Sequence, residues 1–369
     1  MKYYLISGEA SGDLHGSKLI REIRKMDQQA HIRCWGGDMM QEAGAELVSH
    51  YKERAFMGFL EVFMNLRKIL GFMKLCKKDL LDFNPDVVVF IDYPGFNIPI
   101  AKFAKEKGFK TVYYISPQVW AWKENRVHTI RKVVDRMLVI LPFEQGFYQK
   151  WNYPVEYVGH PLVQIIEEFK SSNTTLHPPA VTTVALLPGS RMQEIKKKLP
   201  IMLAATRFFP SWRFVVAQAP SIDKEFYEDL IGRLPNVELV QGKTYAILMQ
   251  SHAALVTSGT ATLETALFRI PEVVCYKGST ISYEIAKRLI KVPYISLVNL
   301  ILDKPAVKEL IQNELTPENL RVELEKLIND PVCRSRLMDD YERLWEILGQ
   351  GGSASAKAAG AVVEAASQK

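Results

Sequence analysis

The chain has 369 residues, of which 48% are apolar and 24% charged, with a formal net charge of +6. That length exceeds what one core usually serves, so two domains are expected, and the composition excludes collagen-like, disordered and disulfide-scaffold classes. The modest positive charge suits anionic substrates or an anionic membrane surface, and no interleaving of aromatic with basic residues calls for nucleic acid. Cys34, Cys76, Cys275 and Cys333 are scattered without a CxxC pair, which argues against zinc and disulfides and fits a reducing compartment.

The chain opens Met1-Lys-Tyr-Tyr-Leu-Ile-Ser7, too short an apolar run for a secretory leader, and Tyr3–Ser7 reads as a first strand. It leads into Ser7-Gly8-Glu9-Ala10-Ser11-Gly12-Asp13. Gly8, Gly12 and Gly16 are spaced by four and not as GxGxxG, so the dinucleotide fingerprint is absent. Two readings stay open: Glu9 or Asp13 touches a substrate, or the turn is a tight strand-to-helix connection capped by Asp13 or Ser11. Helical periodicity over Gly16–Met26 and a strand at Ile32–Trp35 follow.

Residues 55–81 carry Phe56, Met57, Phe59 and Phe63 among a dense apolar set, with Arg67, Lys68, Lys74, Lys77 and Lys78 among and after them. The set is wider than a single core stripe of about 100°. It suits an interfacial helix on anionic lipid or a cradle for acyl chains, and equally a helix buried on two sides. No run of about 18 uninterrupted apolar residues suggests a membrane-spanning helix.

The strand Val87–Ile91 ends directly at Asp92, followed by the turn-forming Tyr93-Pro94-Gly95-Phe96-Asn97. A carboxylate at a strand's carboxyl end suits a general base that deprotonates a hydroxyl; the alternative is a cap or a pin for the turn. Asp86 reads as a strand-entry residue on the opposite edge. After the strand Thr111–Ile115 comes Ser116-Pro-Gln-Val-Trp-Ala-Trp122, an apolar wall for a lipid or sugar, or packing at a corner. After the strand Met137–Leu141, His160 is held extended before Pro161. It orients the donor, couples the two domains, or is a hinge histidine with a satisfied ring.

Polar, proline-bearing Lys170–Ala180 marks the expected boundary, giving domains 1–170 and 171–345 and a helical tail, 346–369. A second series of strands is expected at Thr183–Leu187, Arg213–Ala217, Val237–Val240, Ala253–Thr257 and Glu272–Tyr276, with a helix over Leu199–Phe208. Strand and helix alternate throughout, which implies two Rossmann-like α/β domains facing a cleft, with the 170–180 linker as hinge and a C-terminal helix able to cross back to the first domain. Two turns in the second series stand out, Leu186-Leu-Pro-Gly-Ser-Arg191 and Thr257-Ser-Gly-Thr-Ala-Thr-Leu-Glu264. Gly189, Ser190, Ser258, Gly259 and Thr260 present backbone N–H groups, Arg191 a planar cation for phosphate, and Glu264 an acceptor for ribose hydroxyls. No Gly-Lys-Ser/Thr follows, so neither is a P-loop. Lys287, Arg288 and Lys291 form a second basic cluster, and Asn299 sits in a near-apolar stretch that implies a defined partner for its amide.

Taken in order, Ser7–Asp13, Phe56-Met57-Gly58 with Glu61-Val62, Ile91-Asp92-x-Pro94-x-Phe96-Asn97, Ser116–Trp122, Leu141-Pro-Phe-Glu144, Gly159-His160, Leu186–Arg191, Ser258–Glu264 and Ser296-Leu-Val-Asn-Leu300 resemble the lipid-A-disaccharide synthase family. The resemblance implies a family-19 glycosyltransferase of the GT-B fold, with an acceptor- and lipid-binding first domain and a UDP-sugar-binding second. It implies transfer of 2,3-diacylglucosamine from UDP onto the 6-hydroxyl of 2,3-diacylglucosamine 1-phosphate, on the cytoplasmic face of the inner membrane. It places the catalytic carboxylate on Asp92 and an arginine near the diphosphate on Arg191. Glu9, Ser258, Gly259, Thr260, Glu264 and Asn299 fall on positions that line the cleft or hold UDP. Gly95 stands where many relatives carry a second acidic residue, which leaves the base role to Asp92 alone.

The expected reaction is an inverting displacement that needs no metal, since Arg191 and the turn amides offset the leaving diphosphate. A homodimer is left open. Two rival readings are another GT-B enzyme acting on UDP-N-acetylglucosamine, either a 2-epimerase or a transferase with a soluble acceptor, and a non-catalytic lipid-docking protein.

Overall fold

The computed structural model describes residues 1–54, 66–122, 124–279, 292–350 and 352–368. They form two compact units, Met1–Pro161 with Leu348–Lys369, and Leu162–Ile347.

The first unit is built on β1 (Lys2–Ile6), β2 (His31–Gly36), β3 (Glu46–His50), β4 (Val87–Ile91), β5 (Lys110–Tyr114), β6 (Arg136–Val139) and β7 (Glu156–Tyr157). All run parallel, in the order β3-β2-β1-β4-β5-β6-β7. Successive side chains of a strand point to opposite faces. Tyr3, Leu5, Val87, Val89 and Ile91 therefore enter one core, and Tyr4, Ile6, Val88 and Phe90 the other. Burial on both faces is why these strands read as continuous apolar runs.

The helix Ala10–Met26 packs close against the end of β1 and against Met40 because its glycines permit it. A Cβ on Gly12 would sit 2.9 Å from Cβ of Ser7, and one on Gly16 2.6 Å from Sδ of Met40. Gly12 and Gly16 are thus one helix face in close approach, while Gly8 lies before the helix and makes room for the Tyr93 ring.

The last helix, Ala354–Ser367, closes the same face of this unit. Ser353 caps it by accepting from the Ala356 N–H, and Ala358, Ala359, Ala361, Val362 and Ala365 are buried in the core of β1 and β4. Arg136 of β6 pins it, donating to the Ala361 carbonyl at 3.1 Å and pairing with Glu364 at 2.7 Å.

The second unit contains β8 (Thr183–Leu187), β9 (Arg213–Gln218), β10 (Val237–Gln241), β11 (Ala253–Thr257), β12 (Glu272–Tyr276) and β13 (Lys308–Ile311), parallel in the order β10-β9-β8-β11-β12-β13. Both units are Rossmann-like sheets, as expected.

Three strands were not anticipated. β3, β7 and β13 are sheet edges, and only two of their eleven residues, Ser49 and Leu310, are buried. Half-wet strands lack the apolar run that marked the others. The helix expected over Leu199–Phe208 is Met192–Thr206 and continues through Pro200. In sequence the units divide after Pro161 and before Leu348, the first about nine residues before the expected 170 and the second close to the expected 345. The helix Pro161–Ser172 belongs with the second unit because Lys170 donates to the Leu267 carbonyl at 2.6 Å and Phe169 packs edge-on against Tyr245 and Phe268. Asp86 is the strand-entry residue expected, its carboxylate accepting from the Lys2 N–H at 2.7 Å.

Val362 is fully buried in the first unit. Val362→Asp puts an unpaired charge there and should cost on the order of 3–5 kcal/mol. Calorimetry should show the transition of the first unit falling sharply while that of the second stays in place; a common small shift would contradict this packing.

Candidate active site

In a doubly wound sheet, ligands collect at the carboxyl ends of strands where the strand order reverses. In the first unit that point lies between β1 and β4, and in the second between β8 and β11. The four turns leaving those strands are Ser7–Glu9, Asp92–Tyr93, Pro188–Arg191 and Ser258–Gly259, the segments marked out by sequence.

Asp92 and Tyr93 both adopt left-handed backbone, with φ of 45° and 48°. Each costs about 1–3 kcal/mol and persists only if its surroundings dictate it. Here they do. The Asn97 amide, fully buried, donates to the Asp92 carbonyl at 2.7 Å and reaches the Ile6 and Ile91 carbonyls at 3.4 and 3.3 Å, tying β1 to β4. The Tyr113 hydroxyl donates to the same Asp92 carbonyl at 2.5 Å. The Tyr93 ring lies where any side chain on Gly8 would be. The outcome is a rigid elbow with the carboxylate at the switch point.

Burial, then the neighbouring Glu9 carboxylate, push Asp92 up to about 6, and the Tyr93 N–H works in the opposite direction. Glu9 itself is exposed at the start of the helix Ala10–Met26 and caps nothing with its side chain. Asp13 is a cap, but of a different helix: its carboxylate accepts from the N–H groups of Gly37 at 2.8 Å and of Met39 and Met40 at 3.1 Å.

Trp120 is buried and packs edge-on against Phe143, whereas Trp122 is half exposed with the Arg126 guanidinium over its ring. Glu144 is buried; desolvation pushes it up to about 7, countered by the Leu141 N–H at 3.0 Å. His160 is buried, pushed down to about 3 by desolvation and then by His15, which the fold brings near it from the first helix. Its N–H donates to the Leu348 carbonyl at 3.4 Å, where the chain rejoins this unit.

In the second unit Gly189 has φ 123° and Gly259 φ 144°, conformations that favour glycine. Arg191 and Gly259 are the N-cap residues of the helices Met192–Thr206 and Thr260–Leu267, and neither start is capped by a side chain. Such amides and their dipole are anion donors. Ser190, Arg191, Gly259 and Thr260 are exposed, and Arg191 is held only loosely, 3.8 Å from Glu194. Ser258 donates to the Ile295 carbonyl at 2.8 Å, fixing its turn. Glu264 accepts from the Tyr245 hydroxyl at 2.8 Å, and burial raises its carboxyl above the usual range. The Asn299 amide donates to the Val307 carbonyl and to Glu309, both at 2.9 Å, and accepts from the Val307 N–H; it is committed to shaping the loop.

Sequence reading missed Lys198. It is 3% exposed, its ammonium donates to the Thr257 hydroxyl, and it lies 3.6 Å from Glu194. Within Lys196–Lys198 it looks like a solvated run, yet Ile195, Lys198, Leu199 and Met202 fall on one helical stripe, which was the available signal.

Phe56, Met57, Phe59 and Phe63, and the Lys287, Arg288 and Lys291 cluster, lie outside the described residues. Arg67 and Lys68 are exposed on the helix Leu66–Phe83. Among the described residues no group of three or more His, Cys, Asp or Glu gathers at ligating distance.

The family described as "Lipid-A-disaccharide synthetase" matches residues 3–362. A lipid-A-disaccharide synthase from Syntrophus aciditrophicus is 41% identical over 95% of this chain and 94% of its own. Another, from Geobacter metallireducens, is 37% identical over 99% and 97%. Among solved structures, the UDP-GlcNAc 2-epimerase of Neisseria meningitidis bound to UDP-GlcNAc superposes with a TM-score of 0.70 at 12% identity, covering 99% of this chain and all of that one. The calicheamicin glycosyltransferase CalG4 superposes at 0.64 with 19% identity, covering 100% and 98%.

Because its native state favours the protonated carboxyl, Asp92 stabilises the fold at low pH and loses that contribution as pH rises through about 6. Carbon-detected NMR should find a carboxyl titrating near 6, and Glu9→Gln should move it downward by removing a like charge. An unmoved midpoint would separate the two carboxylates.

Proposed function

We propose a residue-level mechanism on one premise: the chain belongs to the lipid-A-disaccharide synthase family. Its substrates are a UDP-sugar and a lipid-linked sugar. The family reaction joins UDP-2,3-diacylglucosamine to 2,3-diacylglucosamine 1-phosphate, giving the β-1,6-linked disaccharide 1-phosphate and UDP. The epimerase likeness, at 12% identity, carries the fold alone and does not favour that rival activity.

In the proposed step the acceptor 6-hydroxyl attacks the anomeric carbon opposite the diphosphate. A new C–O bond forms, the bond to UDP breaks with its electron pair on oxygen, and the hydroxyl proton passes to Asp92. An α-linked donor therefore yields a β linkage. The observation that carries the assignment is Asp92 itself, a carboxylate locked on a left-handed elbow and poised near 6, ionised at neutral pH yet basic enough to take a proton. Gly95, with open space around its Cα, supplies no second carboxylate. Arg191, the amides of the Pro188–Ser190 turn and those of Ser258–Thr260 meet the growing charge on UDP, with no metal in the scheme. Ser258 and Glu264 shape the nucleoside end, Glu264 accepting from the ribose. Asn299 acts by holding its loop.

We further propose docking on the cytoplasmic face of the inner membrane. The helix Leu66–Phe83 turns Phe72, Met73, Cys76 and Leu80 toward the core but leaves Leu70, Leu75 and Leu81 about half exposed beside exposed Arg67, Lys68, Lys74 and Lys78. Exposed aliphatics flanked by cations fit an anionic lipid surface. Among the described residues no helix is long and apolar enough to cross a membrane.

Asp92→Asn keeps a residue tolerant of left-handed backbone and removes the base. With chelator present throughout, wild-type turnover should persist, and the variant should lose about 10²–10⁴-fold in turnover with UDP affinity intact. Near-normal turnover would remove Asp92 from the base role. Reversing Arg67 and Lys68 to glutamate should weaken sedimentation with anionic vesicles and spare the rate on detergent-dispersed substrate; equal effects in both assays would argue against docking.

A further inference from the structure

Lys198 is unexplained by packing. It occupies a position on the helix Met192–Thr206 whose stripe neighbours Ile195, Leu199 and Met202 are all apolar and buried. An aliphatic residue would fill that place without burying a charge, and a buried ammonium is expensive unless something answers it. Two groups do. Its Nζ donates to Oγ1 of Thr257, the last residue of β11 and the one from which the Ser258–Gly259 turn departs. It also lies 3.6 Å from Oε2 of Glu194.

Glu194, in the first turn of the helix Met192–Thr206, lies against the other turn. A Cβ on Gly189 would be 2.7 Å from its Oε2 and 3.6 Å from Cγ2 of Thr257, so the two turns meet at this carboxylate. Its other oxygen is 3.8 Å from Arg191. A carboxylate beside an anion-binding turn repels the anion, and Arg191 cannot both neutralise Glu194 and hold phosphate. A second cation, fixed underneath, resolves this conflict.

We propose that Lys198 is a positioning residue for the donor diphosphate: it neutralises Glu194 from below, frees Arg191 to take phosphate, and through Thr257 holds the two turns at a fixed separation. This rests on reading these turns as the diphosphate site. Burial lowers the Lys198 ammonium and Glu194 opposes that shift. An arriving diphosphate favours the charged form further, so UDP binding takes up a proton at alkaline pH.

Titration of the full chain with UDP by calorimetry, and with uridine by ligand-observed NMR, tests this. Lys198→Met should weaken UDP at least tenfold and leave uridine within about twofold. Lys198→Arg should recover most of the loss. Thr257→Val, which removes the hydrogen bond and keeps the charge, should cost less than Lys198→Met. Glu194→Gln should tighten UDP severalfold, an opposite sign that a folding defect does not produce and that stands even if Lys198→Met fails to fold. Equal weakening of UDP and uridine, an unchanged UDP affinity, or weaker binding in Glu194→Gln would overturn the assignment. A wild-type chain that binds uridine but not UDP would instead overturn the diphosphate reading beneath it.

Discussion

Where neighbouring parallel strands send their crossovers in opposite directions, their carboxyl ends are left without a covering helix, and a site can form there. This chain creates that situation twice, between β1 and β4 and between β8 and β11. Asp92, Glu9, Arg191, Ser258 and Gly259, all singled out in the sequence, sit on the four turns so exposed. The first pair is held by one side chain, Asn97, whose amide touches carbonyls at the ends of both strands and that of Asp92. The second pair is held by Lys198 and Thr257, again from inside. In each unit a buried polar group does the joining, and the residues facing outward are left free for chemistry.

These turns run against the preferences of the rest of the fold. Consecutive left-handed backbone at Asp92 and Tyr93, a carboxyl driven upward by burial and by Glu9, a desolvated lysine and a desolvated Glu264 are each unfavourable alone. The sheets around them are conventional: parallel strands buried on both faces, and a last helix whose alanines let it settle closely. Such departures are not confined to the switch points, since Ile115 is also left-handed and Glu272 is also a desolvated carboxyl. At Asp92 and Tyr93, however, two of them fall on consecutive residues, where a protein is expected to give up stability for function.

What could be read beforehand followed the same division. Central strands announced themselves because burial on both faces forces apolar runs, and the turn motifs because glycine and hydroxyl residues after such runs have few other uses. Edge strands such as β3 and β7 were silent, since half-wet strands need no such run. Asp13 looked like a candidate for its own helix or a ligand and instead caps a helix more than twenty residues on, a tertiary fact with no local trace. His15 and His160 meet only in the folded unit. Lys198 was hidden by its neighbours Lys196 and Lys197, because a basic run suggests solvent until each lysine is placed on the helix separately.

The fold also sorts which features of the site are general and which belong to this chemistry. Exposed amides at helix starts and left-handed glycines come with the architecture, and a UDP-GlcNAc 2-epimerase shares that architecture at an identity too low to share much else. Such features can bring an anion to the second unit but do not decide what happens to it. In the mechanism proposed above, the decision falls to side chains that the frame does not require: a carboxylate on the β4 elbow, an arginine loosely tethered at its turn, and an apolar, basic helix face beside the first sheet. The close relatives place the chain in its family, whereas the distant ones show only the frame, so the activity has to be argued from the side chains and not from the fold.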